Sequence, residues 1–364
     1  MRHLVRSRPL LHPCLLLAAV LATACGGATP TEPSSTPTPT PTPAQVVYVA
    51  GYEYSGVYDP NAGQPHSVAI VWKNGIATPL TDGTENAAAS SVAVSGGDVY
   101  VAGWEKPPIA GKGGLYNQIA KLWKNGVATP LAVQRTAYGN QLAQAFSVAN
   151  SGSDVYVAGE DNGVAVVWKN GVETQLPQGE RANSVAISGI DVYVAGWRWN
   201  GAALWKNGET QPLSLSEGAD TTLANSVAIS GNDVYLAGEE TVYYDQAFGE
   251  RAVVWKNGVP TWLTGITFKA AANSVAISGS DVYVAGQYYY NGNDVAAVWK
   301  NGVETRLTDG TRSAVATSVA VSGSDVYVAG CEGGVAILWK NGVAAPLTDG
   351  TRSAAASSVF VSPH

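Results

Sequence analysis

The 364-residue sequence is poor in the side chains on which most enzymes and metal sites depend. Charged residues make up only 13% of it, and it has four histidines, three cysteines and one methionine. Beyond the first 24 residues only His66, His364, Cys25 and Cys331 remain of the histidines and cysteines. A histidine-based triad, a multi-histidine metal site and a disulfide framework are therefore not expected.

Catalytic sequence motifs are missing as well. The chain contains no HExxH, no GxSxG elbow and no phosphate-binding GxxxxGK, and it lacks the sialidase-type aspartate turn and an EF-hand calcium loop. We therefore expect a protein that is not an enzyme and that uses no cofactor and no metal. Paired carboxylates could still hydrolyse glycosidic bonds, so a glycan-active enzyme stays open as a third alternative.

The charge balance is acidic. Twenty-eight Asp and Glu against 21 Lys and Arg give a formal net charge of −7. An acidic surface repels phosphate groups, which argues against nucleic acid and anionic membranes as direct partners.

The N-terminal residues indicate export. Residues 1–24 are predicted to be a signal peptide, with Arg2, Arg6 and Arg8 preceding a short apolar stretch. The following LATAC resembles a bacterial lipobox, in which Cys25 would be lipidated; the alternative is ordinary secretory cleavage after Ala24. Residues 25–45 form a Pro/Thr-rich linker that should be extended. We expect an exported protein, lipid-anchored to a bacterial membrane at the surface or in the periplasm, that contacts the membrane only through this anchor.

The rest of the chain is built from one repeated unit. The tetrapeptide WKNG occurs seven times, and so does the segment VYVAG or VYLAG. A third segment, of the type SVAIS, also recurs, and SVFVS near the C-terminus is its seventh copy. The spacing of about 45 residues is typical of propeller blades.

Each unit predicts four short strands. SVAIS and DVYVAG alternate apolar and small residues with the period of a strand, and AVVWKNG ends in Asn-Gly, a strong hairpin signal. A fourth strand of the type VETRL closes the unit. We therefore predict an all-β, seven-bladed β-propeller over residues 46–364. Its closing blade would combine the C-terminal strand with the strands at the start, which removes two exposed edges.

The repeats resemble the extracellular repeats of the HAF family, whose units read as AFLW-x-x-G, a Leu-containing strand and an alanine-rich segment. The matching segments are AVVWKNG, ETRL and SVAIS, and they cover nearly all of residues 46–362. The His-Ala-Phe triplet itself is absent. The resemblance implies export and the propeller fold, but no particular role.

The two faces of such a propeller differ in sequence. The SG-x-D and KNG turns share one face, which we call the bottom face. Their aspartates should cap the turns through their own backbone, although a ring of metal-binding aspartates is an alternative. The longer loops share the opposite face, the top face, and they carry most of the remaining Trp and Tyr residues.

Aromatic rings for stacking beside carboxylates for hydrogen bonds to hydroxyl groups are what a sugar site needs. The same tyrosines could instead fill small cores within the loops, and the acids could serve solubility alone. The candidate ligand-binding residues are Tyr52, Glu53, Trp104, Glu105, Asp161, Trp197, Trp199, Glu240, Tyr288 and Glu332.

The sequence thus predicts a monomeric, non-catalytic cell-surface binding module. The first candidate partner is carbohydrate or another surface polymer, bound by the top face. The alternative is a protein–protein scaffold or adhesion module in which the same aromatic residues anchor a protein interface. Whether one asymmetric site or several equivalent sites exist stays open.

Overall fold

The computed structural model describes residues 45–59, 64–106, 118–131, 142–214, 216, 218–244 and 247–362. The predicted signal peptide, Cys25 and the linker up to residue 44 lie outside these residues. Within them, the regular secondary structure consists of 28 β-strands.

The strands form seven blades in chain order, of which the first three use strands β1 to β11. Blade I contains β1 (Val47–Asp59), β2 (Gln64–Lys73) and β3 (Ile76–Pro79). Blade II contains β4 (Ala87–Ser95), β5 (Asp98–Glu105), β6 (Ile119–Lys124) and β7 (Val127–Pro130). Blade III contains β8 (Ala143–Ser151), β9 (Asp154–Asp161), β10 (Val164–Lys169) and β11 (Val172–Gln175).

The remaining blades repeat the same plan. Blade IV contains β12 (Arg181–Ser188), β13 (Asp191–Arg198), β14 (Gly201–Lys206) and β15 (Glu209–Gln211). Blade V contains β16 (Ala219–Ser230), β17 (Asp233–Tyr244), β18 (Ala247–Lys256) and β19 (Val259–Trp262). Blade VI contains β20 (Ala270–Ser278), β21 (Asp281–Tyr290), β22 (Asn293–Lys300) and β23 (Val303–Arg306). Blade VII contains β24 (Ala314–Ser322), β25 (Asp325–Glu332), β26 (Val335–Lys340) and β27 (Val343–Pro346), and β28 (Ala354–Val361) returns to blade I.

Strand β28 closes the ring. It pairs antiparallel with β1, so that Val47 faces Val361 and Ala50 faces Ser358, and blade I becomes a four-stranded sheet in the order β28-β1-β2-β3. The first strand of every blade contacts the first strands of its neighbours, whereas outer strands such as β27 are exposed. The predicted seven-bladed propeller, closed by its C-terminal strand, is confirmed.

A belt of serine hydroxyls joins the innermost strands. In each blade the serine of the SVA-type segment accepts a hydrogen bond from the valine N–H of the next blade, over N···O distances of 3.1–3.4 Å. Ser358 accepts from Val92 and so completes the belt between blades I and II. The repeated serine is therefore explained by ring assembly.

The tryptophans of the WKNG segments form the core. All seven are at most 1% exposed, and they pack among the alanines and valines of the adjoining blade. The glycine of the VAG segment is required by this packing. A Cβ on Gly159 would overlap the carbonyl oxygen of Gln144 and lie 2.7 Å from the Trp168 ring.

The bottom face differs in one respect from expectation. The six repeated aspartates do not cap their own turns. Each accepts a hydrogen bond from the Asn of the KNG turn and pairs with the adjacent lysine, as Asp191 does with Asn207 and Lys206 at 2.7 Å each. The KNG asparagines have φ of 50–53°, which holds their amides toward the neighbouring turn. These charges therefore tie two turns together, and no group of three or more metal-ligating side chains occurs among the described residues.

Candidate functional site

Alternation along the second strand of each blade decides which side chains reach the top of the ring. Successive side chains of a strand point to opposite faces. The residues directly after the VAG glycine are Tyr52, Trp104, Glu160, Trp197, Glu239, Gln287 and Cys331. The next residues, on the opposite side of the strand, are Glu53, Glu105, Asp161, Arg198, Glu240, Tyr288 and Glu332.

A cavity of about 760 Å³ lies on the top face. Blades I to IV contribute to it, and residues of the innermost strands β28, β4, β8 and β12 form part of its wall. From the second strands only residues in the first and third positions after the VAG glycine take part, as Tyr52 and Tyr54 do in β1. The cavity therefore lies to one side of the ring and breaks its sevenfold repetition. We call it the blade I–IV cavity.

Its apolar wall is aromatic. Tyr52, Tyr54, Trp104 and Phe146 line it, and the rings of Tyr52 and Tyr54 pack edge to face with their centroids 6.0 Å apart. Tyr52 also lies near Cys331, and burial raises the pKa of the Tyr52 hydroxyl. Four rings around one opening offer stacking surfaces to a flat or ring-shaped ligand.

Amides and hydroxyls form the polar wall. The Gln144 amide donates to the Gln118 side chain across blades II and III. Asn86 accepts a hydrogen bond from the Ser67 N–H at 3.0 Å, and the Ser67 hydroxyl accepts one from Ala87. These bonds hold polar groups at the cavity wall in fixed positions.

The charged side chains that line the cavity are Lys106 and Arg181. The Arg181 guanidinium stacks on Phe146, with Cζ 3.8 Å from the ring centroid, and its Nε lies 4.0 Å from Glu160 Oε2. Burial raises the pKa of Glu160 and lowers that of Arg181, and the attraction between them opposes both shifts. The pair is therefore partly desolvated.

None of the candidate acids lines this cavity. Glu105 pairs with Lys121 at 3.0 Å, Glu240 with Arg251 at 2.9 Å and Glu332 with Arg312 at 3.5 Å. Asp161 is buried and accepts a hydrogen bond from Asn162 at 2.8 Å. Glu53 is half-buried on the side of β1 opposite Tyr52 and Tyr54.

The candidate aromatics divide in the same way. Tyr52 and Trp104 line the cavity. Trp197 is half-buried and faces Arg181 across the β12–β13 pair, whereas Trp199 is 81% exposed in the turn after β13. Tyr288 is buried in blade VI, where its hydroxyl donates to Glu304 and burial, with that carboxylate, raises its pKa to about 12. The structure thus brings together two of the ten candidates.

The inward-facing residues of the first strands were missed in the sequence. After the alanine that precedes each SVA-type segment stands one bulge residue, and in most blades it is Ser, Thr or Asn. In blade III it is Phe146, and in blade IV Arg181 stands two residues earlier. Aligning the repeats and looking for departures from the common residue would have identified both.

Comparison with known protein families and curated proteins does not assign this chain to a family. No protein-family model and no curated protein matches the chain. One solved structure with a similar backbone fold is the β-propeller domain of the Trilobed protease from Pyrococcus furiosus. The two chains are 10% identical, and the match covers 71% of this chain and 82% of that one with a TM-score of 0.45.

Two further structures are similar to the same degree. The extracellular domains 1–2 of Drosophila Semaphorin 1a match at 8% identity, 72% and 79% coverage and a TM-score of 0.46. TolB from Acinetobacter baumannii matches at 8% identity, 72% and 64% coverage and a TM-score of 0.44. Similarities at this level say nothing about ligand or activity.

A search of the described residues for a helix long and apolar enough to cross a membrane finds none.

Proposed function

We propose that this protein is a non-catalytic binding module of the bacterial cell exterior that recognises carbohydrate in the blade I–IV cavity. The observation that carries the proposal is the aromatic wall of Tyr52, Tyr54, Trp104 and Phe146 facing amides and hydroxyls. Sugar rings stack on aromatic faces while their hydroxyl groups bond to such polar groups. The volume of about 760 Å³ lies within the usual ~300–1,000 Å³ of ligand pockets.

Export and the lipid anchor at Cys25 are part of this proposal, supported by the N-terminal sequence and the resemblance to HAF-type repeats. We do not propose catalysis. The acids on which a glycan-active enzyme would depend include Glu105, Glu240 and Glu332, which are engaged in ion pairs and do not line the cavity.

The experiment is a glycan and polysaccharide array with protein beginning at Ala44. We expect saturable binding of at least one oligosaccharide that weakens about tenfold or more in Trp104→Ala, because the variant loses a stacking surface. Trp199→Ala is the matched control, since Trp199 is a highly exposed tryptophan outside the cavity lining. Equal losses in both variants would place the binding elsewhere, and a blank array with folded protein would refute carbohydrate recognition.

A protein–protein scaffold is the second candidate, favoured by an exposed aromatic group on blades V and VI. Tyr243 and Phe248 pack at 5.1 Å, Phe268 and Tyr289 at 5.3 Å, and the two phenylalanines are 62% and 76% exposed. Exposed apolar groups of this kind occur at protein interfaces. This function would be favoured if the glycan array shows no binding and a protein partner binds the original protein but not the Phe268→Ser variant.

A further inference from the structure

The charge of the blade I–IV cavity is opposite to that of the whole protein. The chain has a formal net charge of −7, yet the charged side chains lining the cavity are Lys106 and Arg181. Carboxylates outnumber basic groups in the sequence, so this local excess of positive charge is not a reflection of composition.

The strand geometry accounts for the reversal. Glu53, Glu105 and Asp161 occupy the second position after the VAG glycine in blades I to III, and that position points away from the cavity. In blades I and II the first position holds Tyr52 and Trp104 instead. In blade III the first position holds Glu160, which is not part of the cavity lining but lies 4.0 Å from Arg181 Nε. The cavity wall itself therefore combines aromatic surfaces with two cations and contains no carboxylate.

Two neighbours, Phe146 and Glu160, fix the position of Arg181 at the cavity wall. Phe146 supports the face of its guanidinium at 3.8 Å, which restricts the long side chain. Its buried Nε has no hydrogen-bond partner among the described residues, and Glu160 at 4.0 Å is beyond hydrogen-bond distance. The side chain is 38% exposed, so it is still reachable from the cavity.

On this basis we propose that the cavity selects acidic saccharides, with a sugar carboxylate bound by Arg181 and Lys106 and the sugar ring stacked on Trp104. A guanidinium forms two parallel hydrogen bonds with a carboxylate, which gives both orientation and charge selectivity. The proposal rests on the proposed carbohydrate function and narrows it to hexuronic acid-containing chains.

The test compares one sugar in two charge states. Oligogalacturonate, oligoglucuronate and oligomannuronate, each with its methyl ester, are titrated into the protein beginning at Ala44 by calorimetry at two salt concentrations. We expect at least one acid to bind at least about tenfold more tightly than its ester, with affinity falling as salt rises.

Variants at Arg181 identify the charged group. Arg181→Gln should reduce the acid to the affinity of the ester, and Arg181→Lys should restore part of the preference, which a merely structural role would not. Arg198→Gln is the matched control, because Arg198 lies in the adjacent strand β13 outside the cavity lining and contacts Gln178.

The failures are distinguishable. Equal affinity for an acid and its ester, or an acid preference that survives in Arg181→Gln, overturns the charge proposal and leaves carbohydrate binding intact. If only neutral oligosaccharides bind, the charge proposal is likewise overturned and carbohydrate binding stands. If no oligosaccharide of either kind binds the folded protein, the proposed function fails with it.

Discussion

At the scale of single residues, the repeated side chains serve the scaffold and the unrepeated ones form the cavity. The seven core tryptophans, the VAG glycines and the belt serines each have a packing or hydrogen-bonding reason to recur. Tyr52 and Trp104 were predictable as aromatic departures from an otherwise uniform repeat, although they lie in strands β1 and β5 and not in the loops where the sequence placed them. Phe146 and Arg181 were not, because they stand within a strand where the repeat indicated scaffold.

Glu239 makes the stability of blade V depend on pH. Burial and the nearby Glu250 raise its pKa to about 7, against about 4.3 in an unfolded chain, while Lys269 opposes the shift. Between these values the folded state keeps a proton that the unfolded state releases. The free energy of unfolding therefore falls as pH rises through this window, by up to about 3 kcal/mol.

The substitution Glu239→Gln removes this ionisation. Its melting temperature relative to the unmodified protein should be clearly higher at pH 8 than at pH 5, measured by thermal denaturation. Glu209→Gln, at an exposed position of β15, should show no such difference. A gain of equal size at both pH values would mean that Glu239 is charged at neither or at both.

At the scale of elements, the alternation of side chains along a strand places neighbouring residues of the sequence on opposite sides of the sheet. The existence and order of the strands could be predicted, since the two-residue period and the Asn-Gly turns are strong local signals. The acids were expected beside the aromatics because they follow them directly in the chain. Glu105 and Trp104 are neighbours in sequence, but they lie on opposite sides of β5.

Strand β28 is the element on which closure depends. A truncation that removes residues 358–364 deletes the partners of residues 47–50 and the hydroxyl of Ser358, which bonds to Val92. It also exposes an edge of β1. We expect the melting temperature to fall by at least about 5 °C.

The control for this truncation removes only residues 363–364, which follow the strand. Comparing the melting temperatures of both truncated proteins by calorimetry separates the effect of losing the β28–β1 pairing from the effect of shortening the C-terminus. An unchanged melting temperature after removal of residues 358–364 would show that blade I is stable with three strands.

At the scale of the whole molecule, a ring of near-equivalent blades has an arbitrary starting point. Ser362 donates to the carbonyl of Val46, so the two ends of the described chain lie together and could be joined. The number of blades and the closure followed from counting repeats. The position of the cavity did not, because seven similar units predict seven similar sites and the asymmetry depends on a few departures in blades I to IV.

A circular permutant tests this equivalence. In this permutant residues 46 and 362 are joined, and the chain begins at Asp154 and ends at Ser151. Its first strand, β9, then pairs with its last strand, β8, so that blade III is closed in the way that blade I is closed in the original chain. It should melt within a few degrees of the original. A permutant opened between blades III and IV, at Gly179 and Glu180, has no such pairing across the opening and should melt lower. Equal melting temperatures would show that strand pairing across the opening adds little.

The position of β1 has a mechanical consequence. It is the first strand of the described chain, yet it lies inside its sheet, hydrogen-bonded to β28 on one side and to β2 on the other. A force that pulls the chain at residue 45 acts along this strand, and both rows of hydrogen bonds must slide at once before it leaves. If the force acted instead on an outer strand such as β3, the hydrogen bonds that join this strand to β2 would break one after another. If the proposed anchor tethers the propeller through β1, its detachment under tension is governed by the rate of this shearing step.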